Sequence, residues 1–164
     1  MFKRRLRLPY YFLLVTAITM TLLIAGCSAP ISLADSIMKG IDLRCGELSS
    51  CSISMRDITD FKWDKVVVFQ VGSSNPEVSH ALGFEYHGST DLMSGIIFVS
   101  DNKIVAEQQI AYYPEKPSKL QVNLEQDPND PNCASFSSEN ANFKAGKVVI
   151  DGKTYYELNP STKR

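Results

Sequence analysis

The 164-residue chain holds two histidines and one tryptophan, and no apolar run reaches the roughly 20 residues that cross a bilayer as a helix. The longest such stretch, Tyr10 to Ala25, stops at 16. Charge of one sign is also missing, with 17 Lys+Arg against 18 Asp+Glu. These shortages exclude a polytopic membrane protein and a strongly basic nucleic-acid binder. His80 and His87 lie seven residues apart, outside any zinc-ligand spacing. No Gly-x-Ser-x-Gly elbow singles out a nucleophilic serine. The chain has no internal repeat, and an apolar fraction of 44% is too high for a disordered polymer. Neither catalysis nor a cofactor is expected, and no metal site.

What is present begins with an asymmetry. The first 26 residues carry Lys3, Arg4, Arg5 and Arg7 and no acid, so the remaining 138 residues have a net charge of −5. A basic stretch, an apolar core and then small residues form the layout of a secretory signal peptide. The positive charges stay on the cytoplasmic side while the apolar segment enters the bilayer.

The signal ends in Leu23-Ile24-Ala25-Gly26-Cys27-Ser28. This resembles the bacterial lipobox, an aliphatic residue and two small ones before a cysteine. The resemblance implies cleavage between Gly26 and Cys27, diacylglycerol on the Cys27 thiol and acylation of the new amino group. One acyl chain binds a membrane marginally, and two or three make a stable anchor at ~0.8 kcal/mol per buried methylene. Gram-negative lipoproteins held in the inner membrane tend to carry Asp after the cysteine. Ser28 at that position implies the outer membrane, facing the periplasm, or the outer face of the single membrane in a Gram-positive host. Further on, Phe61-Lys62-Trp63-Asp64-Lys65 before an apolar strand is similar to small uncharacterised bacterial lipoproteins, a likeness that implies no activity.

The expected organisation is a signal peptide over 1–26, a lipidated tether over 27–32 and one periplasmic domain over 33–164. Ser32 and Asp35 have capping-box spacing, and Leu33, Ile37 and Ile41 recur with helical period, which predicts a helix over about 33–39 before Gly40. Alternation from Cys51 to Ile58 predicts a strand with Ile53 and Met55 facing the core. The run Val66-Val67-Val68-Phe69 is apolar on both faces, as in a central strand. Asn75 as cap, Pro76, Glu77 and terminating Gly83 bracket a second helix that buries Val78, Ala81 and Leu82. Two hairpins follow. Asp101-Asn102 is expected to pair Val99 with Ile104 and Ile97 with Ala106, and Asp151-Gly152 to join strands at 147–150 and 153–158, with either face inward. Residues 114–132, with four of the eight prolines, read as a loop. The sum is an α+β domain, mainly antiparallel sheet with one or two short helices.

Export to an oxidising compartment favours a disulfide among Cys45, Cys51 and Cys133. Cys45 and Cys51 flank a turn-like segment and are the first choice, with either pairing to Cys133 as alternatives. A remaining cysteine fits a small buried hydrophobe better than a reactive thiol. Asp127, Asn129, Asp130 and Asn132 offer oxygen atoms but lack the glycine and bidentate Glu of a calcium loop, and Asx-Pro turn chemistry accounts for them. Phe61, Trp63 and Phe69 fit a core strand with flanking aromatics better than a recognition face. Tyr112 and Tyr113, beside the Pro-rich loop, are the expected partner-binding residues, because rigid aromatic anchors lose little entropy on binding. The expected function is a non-catalytic binding module anchored in the membrane by its N-terminal lipid and docked to an envelope protein. An immunity protein or lysozyme-type enzyme inhibitor is one form of it. An envelope assembly or structural factor is the other.

Overall fold

The computed structural model describes residues 32–124 and 131–161. The expected signal peptide over 1–26, Cys27, the expected tether up to Ile31, and Asp127, Asn129 and Asp130 lie outside the described residues. Helix α1, Leu33–Cys45, starts where Ser32 accepts a hydrogen bond from the Asp35 amide. Its buried residues, Ile37, Ile41 and Cys45, follow the helical period onto one face. The helix does not stop before Gly40 as expected. It runs six residues further than predicted, because a glycine there lets Ile58 approach. A Cβ at position 40 would lie 2.6 Å from the Ile58 side chain.

Strand β1, Ser50–Ser54, ends sooner than its alternation suggested, and Met55–Ile58 forms a single-turn helix, α2. Ile53 and Met55 are nevertheless both buried. The switch comes where the Met55 amide leaves the strand ladder to donate to the Ala141 carbonyl, and the Thr59 hydroxyl donates back to the Met55 carbonyl. Strand β2, Lys65–Phe69, has four consecutive fully buried residues, Val66 to Phe69. Helix α3, Asn75–Leu82, is capped by Ser74 rather than Asn75. Ser74 and Glu77 complete a reciprocal capping box, which holds the Glu77 carboxyl below its ordinary titration range through its hydrogen bonds to Ser74. Asn75 instead turns inward, donating to the Tyr86 and Gly88 carbonyls and accepting from the Thr90 hydroxyl. Gly83 ends the helix in the left-handed region.

The remaining strands are β3, Met93–Ser100; β4, Lys103–Ala111; β5, Leu120–Val122; β6, Cys133–Ser137; β7, Asn142–Ile150; and β8, Lys153–Pro160. They form two four-stranded sheets, ordered β1-β7-β8-β5 and β4-β3-β2-β6. All described pairings are antiparallel except β5 with β8. The domain is α+β and mainly sheet, with three described helices where one or two were expected. Strand β5 lies inside the stretch read as a loop, and three residues between prolines carry too little pattern to mark it.

The β4-β3-β2-β6 sheet is covered on both faces. Val66, Val68, Ile96, Phe98, Ile110, Ala134 and Phe136 pack towards Ile53, Leu120, Val122, Phe143, Ala145 and Leu158 of the other sheet, with α1 closing the side. Val67, Phe69, Ile97, Val99 and Cys133 pack on the opposite face under Val78, Leu82 and Tyr86. This double coverage is why β2 is apolar at every position. Phe61 and Trp63 meet Phe98 edge-on in the first core, whereas Phe69 meets Tyr86 in the second. The three aromatics therefore form no common recognition face.

Both hairpin turns have positive φ at both central residues, Asp101 with Asn102 and Asp151 with Gly152. Val99 pairs with Ile104 as expected, but Ile97 pairs with Glu107, not Ala106. A bulge at Val105 shifts the register by one residue, so Glu107 and Gln109 face Tyr86.

Candidate binding groove

The alternation of β2, β3 and β4 that fills the inter-sheet core continues past its apolar residues to Gln70, Ser94 and Ile110. Across from them lie Gln121 and Val122 of the edge strand β5 and the following Asn123. The core opens here into a groove of about 390 Å3. Its walls are Val71, Tyr112, Tyr113, Pro114, Pro117 and Val122, and its polar groups are Gln70, Ser94, Ser118, Gln121 and Asn123. Among the described residues that line it, none carries a charge at neutral pH.

Tyr112 and Tyr113, named from the sequence as contact residues, both line this groove and are 51% and 62% exposed. The segment that carries them is held by its backbone. The Tyr112 amide donates to the Leu92 carbonyl at 2.9 Å, the Lys116 amide to the Tyr113 carbonyl at 3.2 Å, and the Ser118 hydroxyl to the Ala111 carbonyl at 2.9 Å. Pro114 and Pro117 restrict φ on either side of that turn. Two large aromatic side chains are thus presented to solvent from a braced loop.

Gln70 closes the floor. Its side-chain amide donates to Asn132 at 3.1 Å and its carbonyl accepts from the Leu124 amide at 2.9 Å, tying the two described ends of the Pro-rich segment to β2. Asn132 is engaged in this bracket, and its carbonyl also accepts from the Gln70 amide and the Ser73 hydroxyl. The remaining polar lining is different. Among the described residues, no buried side-chain polar atom lacks a partner, and the Gln121 and Asn123 side chains are open to solvent while Ser94 is 8% exposed. Sequence reasoning missed these three. An isolated serine at the start of an apolar strand carries no signal until the fold places it beside Gln121 and Asn123.

The other sequence candidates fall elsewhere. Cys45 and Cys51 are joined, with Cα atoms 5.4 Å apart, and Cys133 is buried under α3. His80 and His87 are both exposed, and His87 sits 3.8 Å from Glu85. No group of three His, Cys, Asp or Glu side chains among the described residues could hold a metal ion. A second polar cluster lies on the opposite side of the same sheet. The Tyr86 hydroxyl donates to Glu107, and Gln109 donates to both. Burial first, then the Glu107 contacts, raise the Tyr86 hydroxyl above its ordinary titration range. Every member is satisfied, so this cluster braces the fold.

Compared with known proteins, the chain matches no family model, no curated protein and no solved structure.

Proposed function

We propose that this protein is an envelope lipoprotein, anchored through acylated Cys27, whose single folded domain is a non-catalytic binding module. The observation that carries the reading is the groove at Tyr112 and Tyr113. Ordered aromatic side chains held in solvent cost apolar exposure and serve the free molecule poorly, whereas a partner that covers them recovers that area with little loss of side-chain entropy. The anchor supports it from the sequence side. A lipid at Cys27 confines the domain to a membrane surface, which raises the effective concentration of any partner held in the same layer.

The test compares the full-length lipoprotein with a variant carrying both Tyr112→Ala and Tyr113→Ala, immobilised in detergent and exposed to solubilised envelope material. The wild type is expected to retain material that the variant does not. Equal retention by both, with both proteins folded, contradicts the reading.

A further inference from the structure

We propose that the surface at Tyr112 and Tyr113, together with Leu92, lies on the lipid bilayer itself, so that its partner is the interfacial zone of the membrane that holds Cys27. This inference rests on the reading of Cys27 as acylated and of Tyr112 and Tyr113 as the contact surface, and it names the partner. The first observation concerns Leu92, whose carbonyl accepts from the Tyr112 amide. The Met93 amide donates to the Thr90 carbonyl at 3.2 Å, which closes a turn with Leu92 at its third position, where φ is 52°. Glycine or asparagine normally takes a positive φ there. The other non-glycine residues with positive φ among those described are Asp101, Asn102 and Asp151, hairpin-turn residues with short polar side chains. Leu92 combines a strained backbone with an apolar side chain that is 59% exposed, and neither serves the free domain.

The second observation is where the chain that leads to the anchor leaves the domain. The Ala34 amide, in the first turn of α1, donates to the Gln108 side chain at 3.1 Å. Gln108 precedes Tyr112 by four residues along β4, about 14 Å of extended chain. Cys27 precedes Ser32 by five residues, a contour of at most about 17 Å. A lipid on Cys27 therefore keeps the start of α1, and with it the Tyr112 end of β4, within reach of the bilayer surface. The exposed apolar run Val148-Val149-Ile150 is placed differently. It follows Lys147, which is held at the opposite end of α1 by Gly46 and Asp42. The thirteen residues of α1, about 20 Å of helix, separate that end from the start. Tyrosine suits the interface because its ring is apolar while its hydroxyl stays wet, and Leu92 beside it adds apolar area.

The experiment reconstitutes the full-length lipoprotein in phosphatidylcholine vesicles with brominated acyl chains and reads the quenching of tryptophan emission. Trp63, the single native tryptophan, is buried and gives the baseline. The added emission of Tyr113→Trp should be quenched severalfold more strongly than that of Val149→Trp. Leu92→Gly or Tyr112→Ala in the Tyr113→Trp protein should each weaken that quenching. Leu92→Gly should do so while keeping or raising the melting temperature, since glycine takes the positive φ without strain. Unquenched, water-like emission from position 113 overturns the proposal, as does equal quenching at 113 and 149, or quenching indifferent to both Leu92→Gly and Tyr112→Ala. Failure of the wild type to float with the vesicles overturns the anchor and this inference together. Absent quenching at 113, with envelope retention that still depends on Tyr112 and Tyr113, overturns the lipid partner in favour of a protein and leaves the binding surface standing.

Discussion

Gly40 occupies the middle of a thirteen-residue helix, where glycine is worth about 1 kcal/mol less than alanine. Propensity alone says that Gly40→Ala stabilises. The packing says the reverse, because the new methyl would sit 2.6 Å from Ile58 and push α2 away from α1. A net loss of about 1–2 kcal/mol in urea unfolding is expected. A gain would mean that Ile58 moves aside freely.

Tyr86 supplies a pH signature at the same scale. The folded protein keeps its phenolic proton above the ordinary pKa of 10.0, at which the unfolded chain releases it. The folded state therefore binds more protons than the unfolded state above that pH, so this contribution is complete below about pH 10 and is lost as pH rises. Tyr86→Phe should be less stable than wild type at pH 8, having lost the hydrogen bonds to Glu107 and Gln109. The gap in melting temperature should narrow towards pH 11. Tyr156, raised in the same direction by burial and Asp42, remains in both proteins and cancels in the comparison.

At the scale of elements, the loop between α1 and β1 is closed by Cys45–Cys51. A bridge spanning so few residues stabilises by about 2 kcal/mol on the chain-entropy account. Cys45→Ser with Cys51→Ser should lower unfolding stability by that amount. Cys133→Ala should leave the non-reducing peptide map unchanged. The β3–β4 hairpin makes a finer prediction. Val105 is the extra residue of the bulge, and its deletion would restore regular pairing without changing the faces of Glu107 and Gln109. That deletion should fold and keep the Tyr86 cluster, whereas deleting Gln108 would turn Gln109 and Ile110 to the wrong faces and abolish folding. A circular-dichroism melt of the two proteins separates them.

The same elements mark what could be read from the chain. Strong local patterns were legible, including the doubly apolar β2, the Asp-Gly and Asp-Asn turns, the Gly83 stop and the stripe of Ile37 and Ile41. The misreadings share one physical origin, since each was decided by a partner distant in sequence. Ile58 carries α1 through Gly40, the Ala141 carbonyl diverts the chain at Met55, and β8 draws Leu120–Val122 into a sheet. Ser74 and Asn75 are both good caps, and Asn75 was released from that role by Tyr86, Gly88 and Thr90. Half of the candidate groove was readable as well. Tyr112 and Tyr113 stand out beside prolines, but Ser94, Gln121 and Asn123 come together only once strands distant in sequence, β3 and β5, have folded beside one groove.

For the whole molecule, the proposed lipid anchor and the aromatic-walled groove together describe a tethered binding domain. The tether is testable by itself. Cys27→Ala should abolish incorporation of radiolabelled palmitate and release the protein from the membrane fraction, and unchanged labelling would refute the anchor. The measurement that bears most directly on the central claim is photo-crosslinking in intact cells, with a benzophenone amino acid replacing Tyr113 and, as a control, Lys144 on the exposed outer face of β7. The account predicts a discrete adduct with an envelope component from position 113, suppressed by Tyr112→Ala and absent from position 144. Equal or no crosslinking at the two positions would contradict it.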